Sequence, residues 1–292
     1  MSNYIHQKIR GYRGVIAAGF GLYFSNLRTV FRASWPWVLL FAIAYALQAT
    51  LAIVTRANPT VLSFCTAVVL SIIELAAITT AIAIVADLLR QHSESEAIPS
   101  PTRWISFNGR LTWRIVKALF FNTVLVMVPT LLIIYGGYLL KSHFSPITTI
   151  VACCIVLLLL VILLVPLFYT STKYVYTTAG FWPLLWHGYS IGFRHWGKLF
   201  SVWFITYATL LLCTAVVVLP AIVLSIASIT SFLGTLSGDP DGMPSYISWL
   251  SLATFLIAGG MSFYTTAPLL FTSYFAYGTV EAEERQHTEN LQ

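Results

Sequence analysis

Six times along this chain an apolar run reaches roughly the 20 residues that cross the hydrocarbon core of a bilayer: residues 35–54, 61–86, 118–140, 147–169, 200–222 and 250–274. In lipid each run must satisfy its own backbone N–H and C=O groups, which a helix does and an isolated strand cannot. The two-residue alternation of barrel strands is absent. Only 9% of the 292 residues are charged and 58% are hydrophobic, too little charge to keep a water-soluble domain dissolved. The chain reads as all-α: one polytopic integral membrane domain, residues 1–292, with six transmembrane helices.

Orientation follows from the basic residues. Fourteen of the sixteen Lys and Arg flank the runs on one side, and Arg56 and Lys141 alone fall on the other. The positive-inside rule then puts both termini in the cytoplasm. A net charge of +6 distributed this way suits anionic lipid head groups and not nucleic acid. A second membrane protein, or a second copy of the chain, is the expected macromolecular partner. No short apolar stretch with a small-residue cleavage site precedes residue 35, so the first helix is expected to act as an uncleaved insertion signal. Cys65, Cys153, Cys154 and Cys213 all fall inside apolar runs and read as small core residues without disulfide or metal-ligand spacing.

Before the first, third and fifth runs lie segments whose aromatic and basic residues fall on opposite helical faces: 19–32, 103–117 and 182–198. Such helices suit the head-group layer with their aromatics toward the membrane. They nominate Arg28, Arg32, Arg110, Arg114, Lys117, Arg194 and Lys198 as lipid-contacting cations, with Trp35, Trp37, Trp104, Trp182, Trp186 and Trp196 as interfacial anchors. Two motif pairs, "FRASWPW" with "FRHWGK" and "PLFYTS" with "PLLFTS", recur at matching places. They predict a threefold internal repeat of flat helix, span and span over 11–90, 100–176 and 180–278, followed by a polar cytoplasmic tail, 279–292. "GG" pairs at 136–137 and 259–260 predict close helix approach.

One carboxylate interrupts the hydrocarbon. Glu74 sits in "SIIELAAI", where a charge costs roughly 2.5–3.5 kcal/mol on insertion scales. Ser63, Ala67, Ser71, Ala77 and Ala81 lie at or near the same helical face, a small-residue stripe that packs on a neighbouring helix. The carboxyl is therefore expected inside the bundle, neutral and hydrogen-bonded. No Lys, Arg or His lies within a span to pair with it. Gln48, placed nearer the outside, and Asn122 are the polar candidates, with Asn122 or a water preferred. Glu74, Ser71, Asn122 and Gln48 form the candidate intramembrane polar site.

The sequence carries no nucleotide-binding glycine loop, metal-ligand cluster or nucleophile elbow. Its six histidines are scattered outside the spans. The pattern thus argues against catalysis and implies neither cofactor nor metal. The order of basic-aromatic helix, "W-P-W" or "H-W-G-K" junction and hairpin resembles the six-helix membrane domain fused to some bacterial glycerophosphodiester phosphodiesterases, and related stand-alone bacterial membrane proteins. The likeness spans about residues 11–278 and carries no catalytic motif. It implies a bacterial cytoplasmic (inner) membrane location. The expected role is a non-enzymatic scaffold, assembly or lipid-organising component. The alternative is a small transporter or permease for a lipid-like or hydrophobic solute, with Glu74 in its pathway.

Overall fold

A computed structural model describes residues 8–56, 60–95, 108–140, 146–177, 179–238, 244 and 246–290. Among them lie nine helices: α1 (Tyr12–Ser25), α2 (Leu27–Val54), α3 (Val61–Ser95), α4 (Gly109–Leu140), α5 (Pro146–Tyr176), α6 (Phe181–Arg194), α7 (Trp196–Leu236), α8 (Ile247–Thr266) and α9 (Pro268–Glu289). Five stretches are long and apolar enough to cross a membrane: Leu27–Val54, Val61–Ser93, Gly109–Leu131, Trp196–Leu236 and the α8–α9 stretch Ile247–Glu289. The chain is an all-helical multi-pass membrane protein. Its surface carries Leu62, Phe64, Phe120, Leu212, Val216 and Trp249, each at least 70% exposed. Lipid tails cover such side chains without a hydrophobic penalty.

α2 packs on α3 and on α8, α1 on α9, and α6 on α5. Two of these contacts are built alike. Gly11 and Gly180 each precede a 14-residue helix from an extended backbone (φ −68, ψ 163 and φ −64, ψ 155). Each helix stops at one residue, Asn26 or His195, before a long helix begins. Gly19 of α1 meets Thr272 of α9 so closely that a Cβ would lie 2.7 Å from its Cα, and a Cβ on Gly188 of α6 would lie 3.0 Å from Thr170 of α5. Thr272 and Thr170 each donate back to the carbonyl of a proline four residues earlier, Pro268 and Pro166, at 2.9 Å.

Those prolines explain a second shared device. Pro166 and Pro268 lack an N–H, so the carbonyls of Ile162 and Tyr264 lose their helical donors. The Trp196 indole N–H donates to Ile162 at 2.9 Å, and the Tyr23 hydroxyl donates to Tyr264 at 2.7 Å. In lipid an unsatisfied carbonyl is costly. The matching "PLFYTS" and "PLLFTS" motifs therefore mark two helices with the same defect, each repaired by an aromatic side chain from the short-helix region packed on it.

Several sequence expectations change. The segment expected at 19–32 divides at Asn26, so Arg28, Arg32, Trp35 and Trp37 belong to the start of α2. The segment expected at 182–198 divides at His195, leaving Trp196 and Lys198 on α7. The described part of 103–117 is no separate helix. α4 runs unbroken from Gly109 through Pro129 to Leu140, carrying Arg110, Arg114 and Lys117 on the same rod as its apolar run. Trp104 lies outside the described residues. Cys65, Cys154 and Cys213 are exposed rather than buried, since a membrane helix turns apolar residues to lipid as readily as to its core. Gly259 does bring α8 against Tyr45 and Ala42 of α2, whereas Gly136 meets nothing within 4 Å. Residues 279–289 are no free tail: α9 continues to Glu289, with Thr279 and Val280 fully buried.

Candidate functional site

The intramembrane polar residues fall into two separate pairs and one isolated group. On the α2–α3 interface the Gln48 amide donates to the Ser71 hydroxyl at 3.1 Å. On the α4–α5 interface the Asn122 amide donates to the Ser171 hydroxyl at 3.0 Å. Asn122 bonds across to α5 and is not hydrogen-bonded to Glu74. Of the small-residue stripe, Ala77 and Ala81 are fully buried, Ser63 and Ala67 are half-buried and Ser71 is exposed. Glu74 itself is half-buried, within electrostatic reach of Tyr45. Its Oε1 is buried and has no hydrogen-bond partner among the described residues.

Among the cavities of the described residues, three border α4 or α5. One of about 140 Å³ separates α3, α4, α5 and α9 and is bordered by Asn122 and Ser171. A smaller one of about 20 Å³ lies between α5, α7 and α9. A groove of about 490 Å³ runs along α4 from Asn122 to Leu131. Glu74 lines none of them.

The densest polar cluster stands where α5, α7 and α9 end or begin together. Lys173 of α5 donates to Glu281 Oε1 at 2.6 Å, and the Tyr169 hydroxyl donates to the same oxygen. Lys198 donates to Glu283. His195, at the α6–α7 break, faces Glu283 through Nδ1 at 3.3 Å and Glu284 through Nε2 at 2.8 Å. Arg194 adds a bond to Glu284 at 2.9 Å. Burial works to raise the Glu284 pKa. The hydrogen bond from His195 and the Arg194 guanidinium outweigh it, and the carboxyl lies below its usual range. A tyrosine layer underlies the cluster, with Tyr176 stacked on Tyr277 at 6.1 Å and edge-on to Tyr274 at 5.4 Å.

This cluster redistributes the nominated lipid contacts. Arg194 and Lys198 are engaged by α9 carboxylates. Arg114 lies over the Tyr174 ring at 4.3 Å and donates to the Ala179 carbonyl at 2.6 Å. Arg28, Arg32 and Arg110 are exposed and have no hydrogen-bond or ion-pair partner among the described residues, and exposed Lys117 lies over Trp113. Trp182 and Trp186 are exposed at 66% and 78%, while Trp37 and Trp196 are half-buried. Sequence reasoning missed the Glu281, Glu283 and Glu284 partners. Apolar spacing carried unbroken through Val280 was the signal that the helix, and the acids on it, would run on.

Comparison with protein-family models, curated proteins and solved structures finds no match to this chain.

Proposed function

We propose that the protein is a non-enzymatic organiser of the bacterial cytoplasmic membrane, holding anionic lipid at its cytoplasmic, basic end and serving there as a scaffold for a membrane partner or a second copy. The observation that carries this reading is the sorting of cations. Lys173, Arg194 and Lys198 are neutralised by α9, whereas Arg28, Arg32 and Arg110 stay exposed beside Phe24, Phe31 and Trp113. An exposed arginine flanked by exposed aromatics is the chemistry of a head-group contact. In this reading α5 is the sixth span, being 31 residues long. Both termini are cytoplasmic, α1 and α6 lie along the head groups, and the three hairpins are copies of one unit. The shared glycine–threonine and proline devices support that repeat. The likeness to the membrane domain of glycerophosphodiester phosphodiesterases is proposed for architecture alone.

The test is lipid selectivity in nanodiscs, read with spin-labelled phosphatidylglycerol against phosphatidylcholine. Arg28→Gln, Arg32→Gln and Arg110→Gln together are expected to erase the preference for phosphatidylglycerol, at about 1 kcal/mol per charge. Arg194→Gln with Lys198→Gln leaves most of it. A wild-type protein without any such preference overturns the proposal.

The transporter reading keeps one observation in its favour, the buried and unpartnered Oε1 of Glu74. That Glu74 lines none of the five main cavities weighs against it. Proton-coupled transport abolished by Glu74→Gln in a normally folded protein would reinstate it.

A further inference from the structure

The three cavities that border α4 or α5 share a chemistry of their own. The 140 Å³ space between α3, α4, α5 and α9 approaches the roughly 150 Å³ of an engineered cavity that takes up benzene. Its polar corner is the Asn122–Ser171 pair together with Thr172 and Ser273. Asn122 has two N–H donors and an acceptor oxygen; Ser171 takes one N–H at 3.0 Å and meets the oxygen at 3.2 Å, so one N–H is left unspent.

Through Thr172 and Ser273 this space adjoins the 20 Å³ cavity, large enough for one water or one ligand oxygen. On that wall Thr206 is fully buried with its hydroxyl unpartnered, and the Trp203 indole N–H is also buried without a partner among the described residues. Through Asn122 it adjoins the groove along α4, whose floor is Val126, Met127 and Leu131 with the hydroxyls of Thr123 and Thr130. No Asp, Glu, Lys, Arg or His among the described residues lines any of the three. A phosphate here would be desolvated without a countercharge. A plain hydrocarbon would leave the Thr206 and Trp203 donors unsatisfied.

We infer that this crevice binds an uncharged acyl lipid with a free hydroxyl, a diacylglycerol-like molecule, its chain along α4 and its hydroxyl and ester oxygens at Asn122, Ser171 and the buried donors. This site is separate from the anionic head-group contacts and does not depend on them.

The full chain in phosphatidylcholine nanodiscs, photolabelled with a diazirine-bearing diacylglycerol, tests the inference by mass-spectrometric mapping. Labelling is expected to concentrate on residues 122–131, and to be competed by excess dioleoylglycerol but not by dioleoylphosphatidylglycerol. Asn122→Ala is expected to cut it about 3- to 10-fold, the equivalent of one hydrogen bond. Val126→Trp blocks the groove at an exposed position that tolerates bulk, so the test stands even where Asn122→Ala unfolds. Equal competition by phosphatidylglycerol overturns the inference. So does labelling spread evenly over lipid-facing residues such as Ile72 and Leu212, or labelling that Val126→Trp leaves intact.

Discussion

Tyr23 spends its hydroxyl on the carbonyl that Pro268 leaves without a donor, and the consequence is measurable. Tyr23→Phe keeps the ring contact with Phe271 and removes only the bond, leaving a buried acceptor unpaired. It is expected to destabilise the folded state by about 1–3 kcal/mol, read as lowered thermal stability in detergent. Glu284 makes the complementary prediction. Its pKa is depressed in the folded protein. Its stabilising contribution is therefore present above the ordinary carboxylate pKa of about 4.3 and disappears as pH falls through the folded value. Melting temperature followed from pH 7 to pH 3 should fall less steeply for Glu284→Gln than for wild type, with the two curves meeting at the acid end. Glu74 was legible at this scale as the one acid in the hydrocarbon. Its surroundings were not, because spacing along one helix says which residues share a face and not which hydroxyl on another helix reaches Asn122 first.

α9 shows what element-level patterns reveal and conceal. Its apolar first half was plain in the sequence, and so was Pro268 near its start. The continuation to Glu289 reads as tail in the sequence because charge rises sharply after Val280, and a charged helix end looks like a solvated one until its partners are known. Those partners lie far away in sequence, on α5, α6 and α7. The short helices were visible as amphipathic segments, but their ends were misplaced: no proline marks Asn26 or His195, and periodicity alone carries across a one-residue break. α9 acts as a clamp holding α6 on α5. Replacing Glu281, Glu283 and Glu284 together by Gln is expected to speed hydrogen exchange of the α6 amides by roughly tenfold or more, as local opening becomes easier. Exchange in the α2–α8 contact, which touches none of these residues, should stay unchanged. Equal acceleration in both would mean that the carboxylates stabilise the fold globally.

At the scale of the whole molecule, the membrane class was legible because hydrocarbon dictates run length and backbone satisfaction, and both are written in composition. The cavities bordering α4 and α5 were not. Residues facing lipid and residues facing a cavity are equally apolar, which is why the crevice along α4 left no trace in the hydropathy pattern and the exposed cysteines passed for core. The central arrangement is three hairpins with fourteen of the sixteen basic residues on the cytoplasmic side. Single cysteines in a background lacking Cys65, Cys153, Cys154 and Cys213 test it directly, with a membrane-impermeant maleimide applied to intact cells. Labelling is predicted at Thr60→Cys, Ser142→Cys and Ser237→Cys without permeabilisation, and at Ser93→Cys and Thr288→Cys only after it. Labelling of Ser93→Cys or Thr288→Cys in intact cells, or protection of Ser142→Cys, would contradict it.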